Sequence, residues 1–176
     1  GNGIKLSRNI DNFRKLMNKL NLPTVSSMLA VDIIPNYPNY YGFVGAYGNR
    51  CANFIVAKSD LIISLGSRMD IRQIGAKREN FAPNAKIIRI DIDQGELNNK
   101  IREDDIAIHG DLSEIIKKLL EQNLEEFKNN YLNWLNICNQ IKLKLSHLDQ
   151  NKINTLIREI SKIIPDNTSI TTDVGQ

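Results

Sequence analysis

Residues 61–75 read Leu-Ile-Ile-Ser-Leu-Gly-Ser-Arg-Met-Asp-Ile-Arg-Gln-Ile-Gly, and residues 81–93 read Phe-Ala-Pro-Asn-Ala-Lys-Ile-Ile-Arg-Ile-Asp-Ile-Asp. Each holds a short β-branched run, residues 61–65 and 87–92, that opens into a polar loop. The first loop is Gly66-Ser67-Arg68 and the second is Asp91-Ile92-Asp93-Gln94-Gly95. In an open parallel sheet, ligands sit at loops following the carboxyl ends of strands. A close-approach glycine, a hydroxyl, an arginine and carboxylates at two such ends suit a nucleotide. Residues 61–65 are apolar on both faces except at Ser64, which predicts a central parallel strand.

Working outward, Ile10, Phe13, Leu16, Met17 and Leu20 recur at helical spacing and predict a helix over residues 9–20, closed by Asn21-Leu22-Pro23. Residues 23–28 read as a short strand, and the Pro-, Asn- and Tyr-rich residues 32–41 as a loop. Gly42, Gly45 and Gly48 then lead into a helix near residues 49–58. Residues 105–109 form a further strand, and Asp111-Leu112-Ser113-Glu114 resembles a capping box opening a helix buried through Leu112, Ile115, Ile116 and Leu119. Strands alternating with helices predict an α/β fold, a doubly wound parallel sheet with right-handed crossovers. The loop tripeptide Gly1-Asn2-Gly3 has no strand ahead of it, although an α/β domain places a buried strand there. The chain therefore reads as a piece of a longer protein.

After about residue 122 the pattern changes. Phe127, Tyr131, Trp134, Cys138, Ile141, Leu145 and Leu148 form one apolar seam, predicting a long helix packed on the side of the domain. A second helix over residues 152–164 presents Ile153, Leu156, Ile157, Ile160 and Ile164, and residues 169–174 read as a strand that opens into a loop. The 176 residues bury one sizeable core, 41% are apolar, and no run reaches the ~20 apolar residues of a membrane span. The net charge of +3 is spread along helices, which argues against a nucleic-acid platform. Cys51 and Cys138 match no metal or redox spacing and read as buried thiols of a reducing cytoplasm.

The candidate chemistry is sparse. Neither Gly42-x-x-Gly45-x-x-Gly48 nor Gly1-Asn2-Gly3 is the dinucleotide fingerprint, though a glycine loop ahead of a helix can present N–H groups to phosphate. Arg68 and Arg72 suit bidentate phosphate contacts or, equally, ion pairs with Asp70, Asp91 or Asp93. Asp91 could accept from a ribose hydroxyl or cap the following turn, with Asp93 taking the other role. His109 reads as a loop hydrogen-bonder and His147 as solvated. No residue set is an assembled catalytic or metal site.

Six segments in register resemble the central domain of thiamine-diphosphate-dependent enzymes of the acetolactate synthase type. They are Gly1-Asn2-Gly3, Tyr41-Gly42 through Asn53, Ser59-Asp60-Leu61 through Arg72, Phe81-Ala82-Pro83 through Asp93, Gly110-Asp111, and Thr172-Asp173-Val174-Gly175-Gln176. The resemblance implies three α/β domains in the parent. The first supplies an activating glutamate, and the third holds the cofactor diphosphate through magnesium. The middle domain, Rossmann-like and catalytically silent, binds ADP, the ADP part of FAD, or nothing. It places a central nucleotide-binding-like domain at residues 1–125, a linker helix at 126–150, and the start of the diphosphate-binding domain at 151–176. The expected cofactor-binding residues are Gly66, Ser67, Arg68, Arg72, Asp91 and Asp93 for a nucleotide, and Gly175 and Gln176 for thiamine diphosphate. A homo-oligomer, dimer or tetramer, in the cytoplasm is implied, with no nucleic acid or membrane partner. Asp70-Ile71-Arg72 replaces the Asp-Asp-Arg of flavin-binding members, and no histidine stands near Gly45; both departures favour ADP over FAD. A sirtuin-like nucleotide module with His109 as base, and a ligand-free scaffold, are the alternatives.

Overall fold

The computed structural model describes residues 1–124, 131–165 and 167–171. A single turn, α1 (Gly3–Leu6), precedes α2 (Ile10–Leu20), which buries Phe13, Leu16 and Met17. Asn21 closes α2 in the left-handed region, φ 58°, with its N–H on the Met17 carbonyl at 2.7 Å. Asparagine tolerates this conformation because its short side chain bonds locally.

Two parallel sheets follow. β1 (Thr24–Ser26) pairs with β2 (Tyr40–Phe43). β2 is a strand where the sequence predicted a loop through residue 41. The proline-rich stretch ends at Asn39, whose carbonyl takes the Thr24 N–H at 2.9 Å and starts the pairing. α3 (Arg50–Lys58) then crosses to β3 (Leu61–Leu65). The short helix α4 (Ile71–Ile74) leads to β4 (Lys86–Asp91), then α5 (Gln94–Asn98), β5 (Ile106–His109) and α6 (Leu112–Glu121). The second sheet runs β3-β4-β5, all parallel, with Leu61 beside Lys86 and Ile88 beside Ile106.

This is the expected α/β arrangement of parallel sheets with flanking helices, with one correction. β3 is not central among the described strands: it pairs on one side only, with β4. Leu61 and Ile63, expected to be buried, are about half exposed.

The main core joins α1, α2, β4 and α6 through Ile4, Phe13, Leu16, Ile90, Leu112 and Ile116. Leu16 and Ile116 are wholly enclosed, and each such side chain contributes roughly 1.5–3 kcal/mol of transfer free energy. On the opposite face Met69, Ile74, Ile87 and Ile101 form a second cluster. A third, Val56, Ala82 and Ala85, gathers Val25 from β1 and Ile62 from β3.

The apolar seam of the predicted long helix lies on α7 (Leu132–Ser146). Its Trp134, Cys138, Ile141 and Leu145 pack on Tyr41, Cys51 and Ile55, so the helix lies against the side of the domain as expected. The Tyr41 hydroxyl donates to Asn139 Oδ1 at 2.7 Å. Phe127 lies outside the described residues. α8 (Lys152–Ile163) follows, and its Ile153, Leu156, Ile157 and Ile160 are all exposed. Residues 169–171 carry no strand, and the rest of the expected terminal strand, with Gly175 and Gln176, lies outside the described residues.

Candidate functional site

The parallel register places the carboxyl ends of β3, β4 and β5 along one rim. Gly66 donates to the Ile90 carbonyl at 2.8 Å, and Gly110 to the Asp91 carbonyl at 3.0 Å, so three strand ends are tied in sequence. The chain start joins the same rim. Gly3 N–H donates to Gly66 O at 2.9 Å, and the Gly1 amine donates to Leu65 O at 2.7 Å.

Gly66 is required here twice over. Its φ is +55°, and a Cβ would stand 2.7 Å from Gly3 Cα and 2.8 Å from Leu112 Cδ1. Only a glycine permits both the left-handed turn and the close backbone approach.

The remaining candidates separate by task. Ser67 Oγ donates to Gln73 Oε1 at 3.0 Å, which fastens the loop to α4. Arg68 Nε lies 2.8 Å from Glu96 Oε1, with the arginine side chain 74% exposed. Asp70 caps α4 by accepting the Arg72 and Gln73 N–H groups. The Arg72 side chain is exposed, while its carbonyl accepts the Ala46 N–H at 2.8 Å.

The Asp91 and Asp93 carboxylates both accept local N–H groups. Asp93 is the N-cap of α5, taking the Gly95 and Glu96 N–H groups at 2.8 and 3.3 Å. Asp91 holds the bend between them, accepting the Asp93 N–H on Oδ1 at 3.1 Å. Its Oδ2 takes no hydrogen bond among the described residues. His109 Nε2 meets the Ile92 carbonyl at 2.9 Å, and Asp111 caps α6 through the Ser113 N–H, which holds its carboxyl below the usual range.

Gly66, Ser67, Arg68, Asp91 and Asp93 thus share one rim, with Arg72 one loop away. Glu96 and Arg89 also belong to the arrangement and escaped the sequence reading. Arg89 is buried in β4 and donates to the Glu96 and Asn99 carbonyls, both at 2.9 Å, fixing the helix that carries the Arg68 partner. The signal was present: a lone arginine inside an isoleucine run has to be satisfied by backbone carbonyls or carboxylates. A cavity of about 330 Å3 opens beside Arg68, floored by Met69 and Ile74 and rimmed by Arg78 and Asn99.

The glycine-rich turn binds back on itself and on neighbouring loops through several of its donors. Phe43 and Gly45 N–H groups go to the side-chain oxygens of Asn49 and Asn53, Gly48 donates to Gly45 O, and Ala46 donates to Arg72 O. Among the described residues no three His, Cys, Asp or Glu side chains converge as a metal site, and no helix is long and apolar enough to cross a membrane.

Comparison with known proteins places this geometry in a family. The chain is 36% identical over 169 residues to the acetolactate synthase isozyme 1 large subunit of Escherichia coli K12, a match covering 93% of the chain and 29% of that protein. It is 31% identical to the isozyme 2 large subunit of the same organism, over all of the chain and 32% of that protein. It is 33% identical to a probable acetolactate synthase large subunit of Methanococcus aeolicus, again over all of the chain and 32% of the relative. The chain therefore spans about a third of the length of these relatives. Residues 1–119 match the family described as thiamine pyrophosphate enzyme, central domain. The chain belongs to that family, as its central domain.

Proposed function

We propose that this chain is the catalytically silent middle domain of an acetolactate synthase-like, thiamine-diphosphate-dependent enzyme, and that its strand-end rim takes an adenine nucleotide. The observation that carries the ligand reading is the rim itself. An exposed guanidinium at Arg68, a glycine that lets backbone approach at Gly66, and an open carboxylate oxygen on Asp91 stand at adjacent strand ends. Arg68, with Arg72 nearby, meets phosphate, and Asp91 accepts from a ribose hydroxyl. Gly66 and Ser67 shape the loop, and Asp93 holds α5 in place. ADP binds in preference to FAD.

In the parent, thiamine diphosphate supplies carbanion chemistry on a 2-keto acid. Gly175 and Gln176 belong to its diphosphate loop, and magnesium and the activating glutamate come from the flanking domains. The domain limits follow: residues 1–125, a linker over 126–150, and the opening of the next domain over 151–176. The parent is a cytoplasmic homo-oligomer, a dimer or tetramer.

Calorimetric titration of the chain with ADP, FAD and NAD tests the rim. Arg68→Ala should weaken ADP by about tenfold or more, since a charge-assisted bond is worth ~1.5–3 kcal/mol. Unchanged affinity in the variant would move the site elsewhere. Incubation with thiamine diphosphate, magnesium and pyruvate should give no turnover above a protein-free control; turnover would overturn the silent-domain reading. A ligand-free scaffold is the second reading, favoured by the Arg68–Glu96 pair and the capping role of Asp93, which occupy two of the candidates internally. Absence of heat with all three nucleotides selects it.

A further inference from the structure

The two members of the Arg68–Glu96 pair are held very differently. Arg68 stands on the loop after β3, and its side chain is 74% exposed. The Glu96 side chain is only 23% exposed, and its backbone is fastened at both groups. Its N–H donates to the capping Asp93 carboxylate at 3.3 Å, and its carbonyl accepts from Arg89, buried in β4, at 2.9 Å. A second Arg89 bond, to the Asn99 carbonyl at 2.9 Å, pins the end of α5. The arginine can swing toward a ligand, whereas the carboxylate stays.

A phosphate on Arg68 therefore meets an attraction and a repulsion from one pair. Glu96 Oε1 lies 2.8 Å from Arg68 Nε. A phosphate oxygen bonded to the same guanidinium at about 2.8 Å stands roughly 6 Å from that carboxylate. Two like charges at this separation cost about threefold in affinity even at the dielectric constant of water. Glu96 also steadies Arg68, but an exposed ion pair restrains by about fivefold at most, and that gain is the same for every phosphate ligand. The repulsion grows with each phosphate charge, so charge dependence separates the two effects. Asp91, the other carboxylate at these strand ends, bonds the Asp93 N–H and faces the ribose, which all adenine nucleotides share.

We propose, resting on the reading of the rim as a nucleotide site, that Glu96 is its specificity-determining residue: the anchored carboxylate discounts ligands by phosphate charge, so that a nucleoside triphosphate is disfavoured relative to the diphosphate. In the unliganded chain the same carboxylate neutralises Arg68, which gives the pair a purpose other than a structural tie.

Glu96→Gln removes the charge while keeping the shape of the side chain and both backbone anchors. Calorimetry of the full chain with adenosine, AMP, ADP and ATP, in about 0.1 M salt with EDTA to keep the phosphates free of metal, reads the effect. Relative to the unsubstituted chain, the variant should bind adenosine within about twofold, AMP about threefold tighter, and ADP and ATP about tenfold tighter, ATP gaining most. Glu96→Ala should reproduce that order. Glu121→Gln makes the same charge change at the far end of α6, and should move all four by less than about twofold, because exposed charges beyond ~10 Å are screened. Equal tightening across the four ligands, adenosine included, overturns the proposal, since a lost charge does not act on an uncharged ligand. So does weakening of ADP, which would make Glu96 a mount for Arg68. If the unsubstituted chain binds ADP and Glu96→Gln leaves its affinity unchanged, the charge discount fails while the nucleotide rim stands. If neither protein takes any of the four, the nucleotide reading fails and the discount falls with it.

Discussion

Replacing Gly66 with alanine probes the construction of the rim. The backbone sits at φ +55°, where a side chain costs roughly 1–2 kcal/mol. The added Cβ would also stand 2.7 Å from Gly3 Cα and 2.8 Å from Leu112 Cδ1. Leu112 is buried and Gly3 is backbone, bonded to Gly66 O at 2.9 Å, so neither yields freely. Overpacking of this kind costs about 1–3 kcal/mol. The total, ~2–5 kcal/mol, is a large share of the ~5–15 kcal/mol that stabilises a domain. Urea unfolding measures it: with a slope of about 2 kcal/mol per molar, the midpoint falls by ~1–2.5 M. Gly95→Ala is the comparison. Its Cβ meets only Asp93 Oδ1, at 3.1 Å, and alanine favours the helix, so the change stays within ~1 kcal/mol of the parent chain. A Gly66→Ala loss below ~0.5 kcal/mol, the range of an indifferent surface substitution, would refute the close-approach argument.

Tyr37 donates to the Met17 and Leu22 carbonyls at 3.1 and 2.9 Å, and burial pushes its hydroxyl up to about 12. Tyr37→Phe should cost ~1–3 kcal/mol in thermal or urea unfolding, because two carbonyls lose a donor. The tyrosine in the unfolded chain loses its proton near pH 10, the folded one near 12. Its contribution is therefore complete below pH 10 and fades as pH rises to 12, and the phenylalanine variant should lack that part of the alkaline slope. Cys138 is fully enclosed and its thiol is raised to about 12, so a thiol reagent should label it only on unfolding; rapid labelling of the native protein would contradict the packing of α7. Limited proteolysis should remove residues beyond about 164 well before cutting residues 61–93, since the apolar side chains of α8 make no core; equal resistance would show that the tail is packed.

How much of this was legible depended on whether the deciding forces were local. The helix at residues 10–20, the capping aspartate at 111 and the paired runs at 61–65 and 87–91 rest on periodicity and capping, which a sequence displays. β2 did not, because its alignment comes from Asn39 and Ser26 bonds across the chain, and Gly42 within it reads as a breaker. The exposure of β3 was invisible for the same reason: alternation gives a strand two apolar faces but does not count its neighbours. At the rim, residue types suggested Arg68 and the aspartates, but not who holds whom. The partner of Arg68 is Glu96, on a helix of only five residues that no periodicity announces, and that helix is positioned by Arg89 from beneath.

The docking of α7 has a consequence for whatever follows it. Its 15 residues make a rod about 22 Å long at 1.5 Å per residue. Trp134, Cys138, Ile141 and Leu145 seat that rod along Tyr41 and α3, and the Tyr41 hydroxyl on Asn139 holds it against sliding. A flexible tether would let the next element wander through a sphere. A seated rod acts as a ruler instead: it delivers the chain at residue 146 to one fixed offset and heading, so positional information can pass along the polypeptide without any further contact.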